Sequence, residues 1–174
     1  IKRIGLDACQ CIKVSHPAGL YVTDNYVVTH NTSLGLQFVL HAVRDRRGVL
    51  MFSMEMGWRD VFQRLTAISA RVDLMEFREA QNSNFENIGY REMRRALAMA
   101  TSELSDAPLL VSNRSGVTPA YLLKESARLR KRQPIDLVVV DHMQLMAATG
   151  SVRGDYEKFT AISRACKETA MEMQ

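Results

Sequence analysis

The sequence has few of the residues that build disulfide frameworks, metal centres or membrane spans. Its three cysteines are Cys9, Cys11 and Cys166, an odd number, and the first residues carry no signal-peptide pattern. This usage favours a reducing, cytoplasmic setting. Cys9 and Cys11 have no second Cys or His pair at zinc spacing, which argues against a zinc site. No apolar run approaches the ~18 residues of a membrane helix, so we expect no membrane partner.

The overall composition is that of a globular protein of modest size. Of the 174 residues, 47% are hydrophobic and 24% are charged, enough for one ordinary domain or one small domain plus a piece of another. The formal net charge of +4 permits nucleic-acid binding but does not require it. The sequence begins abruptly at Ile1 and stops inside a helical pattern at Gln174. We therefore expect a fragment of a longer protein.

The first 31 residues are rich in β-branched and aromatic side chains. We predict short strands over residues 11–15, 20–23 and 26–29, joined by turns at His16-Pro17-Ala18-Gly19 and at Asp24-Asn25. On this pattern alone the segment is an N-terminal hairpin of a larger sheet.

The remainder alternates between helical and strand patterns. The helix predicted from Ser33 to Arg44 has a wide apolar face that includes Leu34, Leu36 and Phe38. Strands that are continuous apolar runs, alternating with helices, indicate an α/β fold with a parallel sheet covered on both faces. The predicted helices are 33–44, 57–70, 73–80, 90–104, 118–132 and 155–172, and the predicted strands are 49–53, 109–111 and 135–140.

Polar residues follow two of these strands and precede one helix. Glu55 comes just after the strand 49–53, and Asp141 comes directly after the strand 135–140. In parallel sheets, ligands bind at the carboxyl ends of the strands. Thr32 and Ser33 begin a helix, where backbone N–H groups and the helix dipole favour phosphate. An apolar strand that ends in Asp is also the Walker B pattern of nucleotide-hydrolysing proteins.

Motifs along residues 32–174 resemble the RecA-like motor domain of DnaB-type replicative helicases. The resemblance implies ATP and Mg²⁺ as cofactors, a homo-hexamer, and ATP-driven 5′-to-3′ movement on single-stranded DNA. It also implies that Glu55 is the base that orients the attacking water and that Thr32 and Asp141 hold Mg²⁺. Ser33 and Gln144 would lie at the nucleotide. The motifs that carry the resemblance are 51–56 (MFSMEM), 70–74 (ARVDL), 138–146 (VVVDHMQLM) and 162–164 (ISR).

A second resemblance covers the segment before Thr32. Residues 11–31 resemble the C-terminal splicing blocks of inteins, with His30 as the penultimate histidine and Asn31 as the terminal asparagine. The predicted organisation is thus an intein tail over 1–31 and a partial helicase ATPase domain over 32–174. The Gly-Lys pair that should precede Thr32 in a P-loop is absent. Excision of 1–31, and ligation to an N-terminal intein and helicase half that ends in Gly-Lys, would complete the loop.

The splicing chemistry assigns a role to each residue at the junction. The Asn31 side-chain amide would attack its own carbonyl and form a succinimide, with His30 donating a proton. The Thr32 hydroxyl would first take over the N-terminal segment as an ester. Cys11 and Thr29 match an intein class that uses an internal cysteine nucleophile; a half-buried strand cysteine remains an equal alternative for Cys11.

A different class of protein is also consistent with the sequence. The chain would then be a non-helicase RecA-like ATPase or recombination factor, with residues 1–31 as a permanent hairpin. In either case a complete P-loop is missing, so we expect no ATP hydrolysis by these 174 residues alone.

Overall fold

A computed structural model describes residues 21–22, 28–29, 31–82, 88–147 and 154–173. Strands and helices alternate through most of this part of the chain. A 3₁₀ turn, Met143–Leu145, follows the last strand. In chain order the elements are β1 (Tyr21–Val22), β2 (Val28–Thr29), α1 (Asn31–Arg44), β3 (Val49–Ser53), α2 (Trp58–Ala70), α3 (Leu74–Asn82), α4 (Ile88–Ser105), β4 (Leu109–Ser112), α5 (Pro119–Arg130), β5 (Leu137–Asp141) and α6 (Asp155–Glu172).

The main sheet has three parallel strands in the order β4-β3-β5. The central strand β3 is buried along its whole length, because it has a strand on each side and helices over each face. Each return from one strand to the next parallel strand is made through helices, as parallel pairing requires. The predicted α/β fold, a parallel sheet with helices on both faces, is confirmed.

Alternate residues of the strands form two separate cores. On one face, Val49 and Met51 of β3 pack with buried residues of α1 and α2. On the other face, Leu50 and Phe52 pack with buried residues of α5 and α6 and with Met146. This division follows from the pleat, which points successive side chains to opposite faces.

The N-terminal strands form a separate small unit. β1 pairs antiparallel with β2, with Tyr21 opposite Thr29 and Val22 opposite Val28. Within the strands predicted over 20–23 and 26–29, the residues that the structure describes, 21–22 and 28–29, are strand. The strand predicted over 11–15 lies outside the described residues.

Helix α1 differs from its prediction in one respect. Its buried stripe is formed by Leu36, Val39, Leu40 and Val43, whose spacing of three, one and three places them on one helical face. The prediction that Leu34 and Phe38 belong to this face was wrong, since they are 39% and 61% exposed. They are four residues apart and form a second stripe that faces away from the sheet.

The start of α5, which the sequence marks with Thr118 and Pro119, is found where predicted, whereas the helix ends at Arg130, two residues before its predicted end. Pro119 is the first residue of α5, and the Thr118 hydroxyl accepts a hydrogen bond from the Tyr121 N–H at 3.2 Å. This is the usual arrangement of an N-cap residue followed by proline.

None of the helices that the structure describes is both long and apolar enough to cross a membrane.

A polar contact joins three helices on the α1 side of the sheet. The Arg44 guanidinium of α1 lies 2.7 Å from Glu103 of α4, and the Ser69 hydroxyl of α2 donates to the same carboxylate at 2.8 Å. Hydrogen bonds from Arg44 and then from Ser69 hold the pKa of the Glu103 carboxyl below its usual range. Arg44 is the last residue of α1, so the contact fixes the end of the helix opposite Thr32.

Gly48 lies where two backbone segments approach closely at the amino edge of the sheet. Its N–H donates to the Asp136 carboxylate at 2.8 Å, and its carbonyl accepts from the Asp136 N–H at 2.7 Å. A β-carbon on Gly48 would lie 1.8 Å from the Pro134 carbonyl oxygen, closer than any allowed contact. Only glycine fits this position without a shift of the backbone.

We therefore expect Gly48→Ala to lower the free energy of unfolding by about 2–3 kcal/mol, in the upper part of the usual range for an overpacked site. Gly35→Ala is the matched control, because Gly35 lies inside α1 and a β-carbon there meets nothing within 4 Å. The control should gain up to about 1 kcal/mol from helix propensity. Urea unfolding measures both changes. An unchanged midpoint for Gly48→Ala would contradict the close approach.

Candidate functional site

The carboxyl ends of β3 and β5 bring the two predicted acidic residues to one edge of the sheet. Ser53, the last residue of β3, is in register with Asp141, the last residue of β5. The Met54 N–H donates to the Asp141 carbonyl at 2.9 Å, so the chain stays joined to β5 for one residue past the strand. Glu55 follows directly. The structure thus places Glu55 and Asp141 on neighbouring strand ends.

Asp141 is buried and incompletely paired. It is 8% exposed, and its Oδ2 atom has no hydrogen-bond partner among the residues that the structure describes. Burial of a carboxylate is unfavourable unless a donor or a cation compensates it. Mg²⁺ prefers carboxylate and hydroxyl oxygens and keeps several waters. The orphaned oxygen of Asp141 therefore fits a magnesium site.

Glu55 lies in a tight turn that the buried Ser53 stabilises. The Ser53 hydroxyl, which is fully buried, donates to the Met56 carbonyl across the turn at 2.9 Å. The Glu55 side chain is 56% exposed, and its Oε2 atom lies 3.2 Å from Nδ1 of His142. An exposed carboxylate on a fixed turn is suited to contact water at the edge of the sheet.

The N-terminus of α1 lies at the same edge of the sheet. Four residues, 45–48, connect the end of α1 to the start of β3, so α1 runs back antiparallel to that strand. Its 14 residues span about 21 Å, against about 17 Å for the five residues of β3. The first turn of α1, with Thr32 and Ser33, is therefore directed to the carboxyl edge, where its N–H groups favour an anion.

Gln144 lies in the 3₁₀ turn that follows β5. Its side chain is exposed, and its backbone carbonyl accepts a hydrogen bond from Nζ of Lys158 on α6 at 2.9 Å. The turn is thus tied to α6. Neither this contact nor the Ser53 hydroxyl was predicted from the sequence, because both depend on how distant segments pack.

The residues of the predicted splice junction are only partly described. Thr29 ends β2, and Asn31 is the first residue of α1, two residues earlier than the predicted start of the helix. Cys11 and His30 lie outside the described residues. The junction bond between Asn31 and Thr32 is thus inside the first turn of α1.

Across the described residues, the carboxyl edge included, His, Cys, Asp and Glu side chains form no larger cluster. No group of three or more His, Cys, Asp or Glu side chains converges there in a way that would hold a metal ion. A Mg²⁺ ion that takes one hydroxyl from the protein directly and one carboxylate through water, and its other ligands from phosphate and water, needs no such group.

Comparison with known families decides between the two classes of protein. A model of the DnaB-like helicase C terminal domain family matches residues 16–174. The chain belongs to this family. The family match covers β3, β5 and the whole carboxyl edge described above. It also begins before the Asn31–Thr32 bond and runs across it.

Individual DnaB proteins support the assignment. The chain is 30% identical over 169 residues to the replicative DNA helicase DnaB of Mycobacterium intracellulare, covering 96% of this chain and 28% of the relative. It is 28% identical over 176 residues to the DnaB of Mycobacterium leprae, covering all of this chain and again 28% of the relative. The chain therefore spans little more than a quarter of these two relatives.

Solved structures establish the fold. A solved ATPase domain superposes with a TM-score of 0.69 at 20% identity, covering 82% of this chain and 49% of that one. A DnaB-like replicative helicase, solved in a study of its interactions with primase, gives the same TM-score and identity and 34% coverage of its chain. The predicted RecA-like DnaB fold is confirmed. None of these descriptions names an intein, so the intein resemblance of residues 1–31 stays a prediction.

Proposed function

We propose that residues 32–174 are the central part of the ATP-hydrolysing motor of a replicative DNA helicase. The observation that carries this proposal is the register of Ser53 with Asp141, which puts Glu55 and Asp141 on adjacent strand ends. The first turn of α1 is directed to the same edge. Phosphoryl transfer needs groups that bind phosphate and metal and a group that orients water, and these three elements supply them.

Asp141, Thr32 and Ser33 form the binding part of the proposed site. Mg²⁺, when bound with ATP, neutralises the charge that develops on the transferred phosphoryl group. When the ion is bound, Asp141 would hold it through water with its unpaired Oδ2 atom, and the Thr32 hydroxyl would ligate it directly. Ser33 contributes its place in the first turn of α1, where backbone N–H groups bind phosphate oxygens.

Glu55 is the proposed catalytic base. Its half-exposed carboxylate accepts a proton from the attacking water and orients that water. Gln144, exposed on the turn tied to α6, is assigned a coupling role between the nucleotide and neighbouring parts of the motor.

The activity of the whole protein extends beyond this chain, which spans about a quarter of its mycobacterial relatives. We propose a homo-hexamer that uses ATP to move 5′-to-3′ along single-stranded DNA in the bacterial cytoplasm. The support is the family membership of residues 16–174 and the helicase function for which the relatives are named.

We also propose that residues 1–31 are removed by splicing at Asn31–Thr32. The observation that favours this is that Thr29-His30-Asn31, with neither Gly nor Lys, stands directly before Thr32, where a P-loop would end in Gly-Lys. In this proposal Cys11 and Thr29 assist the first steps, and the Thr32 hydroxyl then takes over the N-terminal segment as an ester. His30 and Asn31 perform the final cleavage. The family match to residues 16–31 favours the opposite view, in which these residues are a retained part of the domain.

The metal site is tested with Asp141→Asn in the complete protein that contains this chain. Mg²⁺ should strengthen the binding of a fluorescent ADP analogue to the unmodified protein. In the variant we expect the affinity for Mg²⁺ to fall about 10–100-fold, as for other groups that act through a metal's outer shell. Asp45→Asn is the control, since Asp45 is exposed at the opposite edge. An unchanged Mg²⁺ dependence in Asp141→Asn would remove Asp141 from the site.

A further inference from the structure

The imidazole of His142 makes a contact that the proposed roles leave unused. Its Nδ1 atom lies 3.2 Å from Oε2 of Glu55, while the His142 side chain is 37% exposed and that of Glu55 is 56% exposed. Within the described ranges, no other side chain is seen to bond the Glu55 carboxylate. We propose that His142 is a positioning residue that holds the Glu55 carboxylate for its reaction with water. This inference rests on the proposed role of Glu55.

The backbone on the His142 side of the contact is fixed. His142 follows the last residue of β5, and its carbonyl accepts a hydrogen bond from the Leu145 N–H at 3.0 Å. The same turn ends at Met146, which is 1% exposed and packs into the core beneath the sheet. The imidazole is therefore attached to a stretch of backbone that the turn and the core hold in place.

The backbone on the Glu55 side is fixed as well, but the side chain is not. The turn is held by the hydrogen bond from Met54 to Asp141 and by the one from Ser53 to Met56. Beyond the turn, a glutamate that is more than half exposed has several rotamers of similar energy. One hydrogen bond from His142 selects among them. The bond occupies Oε2 and leaves Oε1 to accept the proton from water.

The hydrogen bond does not need a charged imidazole. A neutral ring with its hydrogen on Nδ1 donates to the carboxylate, and a carboxylate partner of this kind determines which ring nitrogen carries the hydrogen. His142 is thus assigned a geometric task and takes no proton from the substrate. A displacement of a reacting group by ~1 Å can lower the rate of its reaction by up to about 100-fold.

Two substitutions distinguish the effect of the N–H donor of His142 from the effect of the size of its ring. His142→Phe keeps a ring and removes the donor, whereas His142→Asn puts an amide N–H near the position of Nδ1. In the complete protein we expect His142→Phe to lower kcat for ATP hydrolysis about 10–100-fold with KM for ATP unchanged. His142→Asn should recover most of the loss. His41→Phe is the matched control, because His41 is exposed on α1 and should leave kcat unchanged.

A second measurement is independent of turnover. Crystal structures of the nucleotide-free protein should show the Glu55 carboxylate within hydrogen-bond distance of residue 142 in the unmodified and His142→Asn forms. In His142→Phe it should be displaced. If phenylalanine disturbs the fold, His142→Ala supplies the same comparison.

The possible failures are distinguishable. If Glu55→Gln leaves kcat intact, the proposed catalytic role of Glu55 is wrong. If Glu55→Gln lowers kcat but His142→Phe does not, the positioning role of His142 is wrong while the proposed function stands. Equal changes of kcat and KM in both His142→Phe and His142→Asn would show a general structural role and would also overturn the inference.

Discussion

Replacement of Glu55 by glutamine is expected to lower kcat for ATP hydrolysis by roughly 10²–10⁴-fold, the usual contribution of a positioned general base. Glutamine keeps the size of the side chain and its ability to accept a hydrogen bond from His142. It removes the negative charge that takes the proton of the attacking water. Because Glu55 is assigned no role in holding the nucleotide, KM for ATP should change by less than about twofold.

The measurement is steady-state ATP hydrolysis by the complete protein on single-stranded DNA. Glu168→Gln is the matched control, since Glu168 is exposed on α6. It should keep the full rate. Binding of an ATP analogue to Glu55→Gln should also be unchanged, which confirms that the variant is folded. Full turnover in Glu55→Gln would show that another group orients the water.

Asn31→Ala is expected to abolish protein splicing altogether. The final cleavage requires the side-chain amide of Asn31 to attack its own carbonyl, and alanine has no nucleophile at that position. Steps before this cleavage do not need Asn31. The branched intermediate, with the N-terminal segment as an ester on Thr32, should therefore accumulate in the variant.

The products are measured by intact mass after the chain is mixed with the matching N-terminal half. The unmodified chain should give a ligated species that lacks residues 1–31, and Asn25→Ala should behave in the same way. Cys11→Ala resolves the two interpretations of Cys11: loss of the ester identifies a nucleophile, and normal splicing identifies a strand cysteine. No loss of residues 1–31 from the unmodified chain, or identical products from Asn31→Ala, would show that the segment is retained.

Much of the fold follows from local patterns in the sequence. The strand predicted over 109–111 is found as Leu109–Ser112, and the strand predicted over 135–140 is found as Leu137–Asp141. Apolar runs of this length between amphipathic helices have few alternatives to a buried parallel sheet. The position of Asp141 at a strand end follows from the same pattern.

The order of the strands and the contacts at their ends do not follow from local patterns. That β3 lies between β4 and β5 depends on which strands pair over long sequence separations. The contact of His142 with Glu55 and the turn closed by Ser53 depend on the register that this order imposes. The sequence motif assigns no role to His142, although its place directly after Asp141 puts it at the carboxyl edge.

Burial of individual apolar residues also depends on partners that a sequence does not specify. Leu34 and Phe38 are as hydrophobic as the residues of the buried stripe of α1, yet they lie on the face away from the sheet. An apolar pattern that covers more than one face of a helix predicts the helix correctly. It does not determine which of these faces packs against the sheet.

The central claim is that a complete ATP site forms only when Thr32 follows a Gly-Lys segment. It is tested by comparing DNA-stimulated ATP hydrolysis by the purified 174-residue chain with that of a ligated protein. In the ligated protein, residues 32–174 follow an N-terminal helicase segment that ends in Gly-Lys. We predict hydrolysis by the ligated protein and none above background by the unligated chain. Equal DNA-stimulated hydrolysis by the unligated chain would contradict the claim.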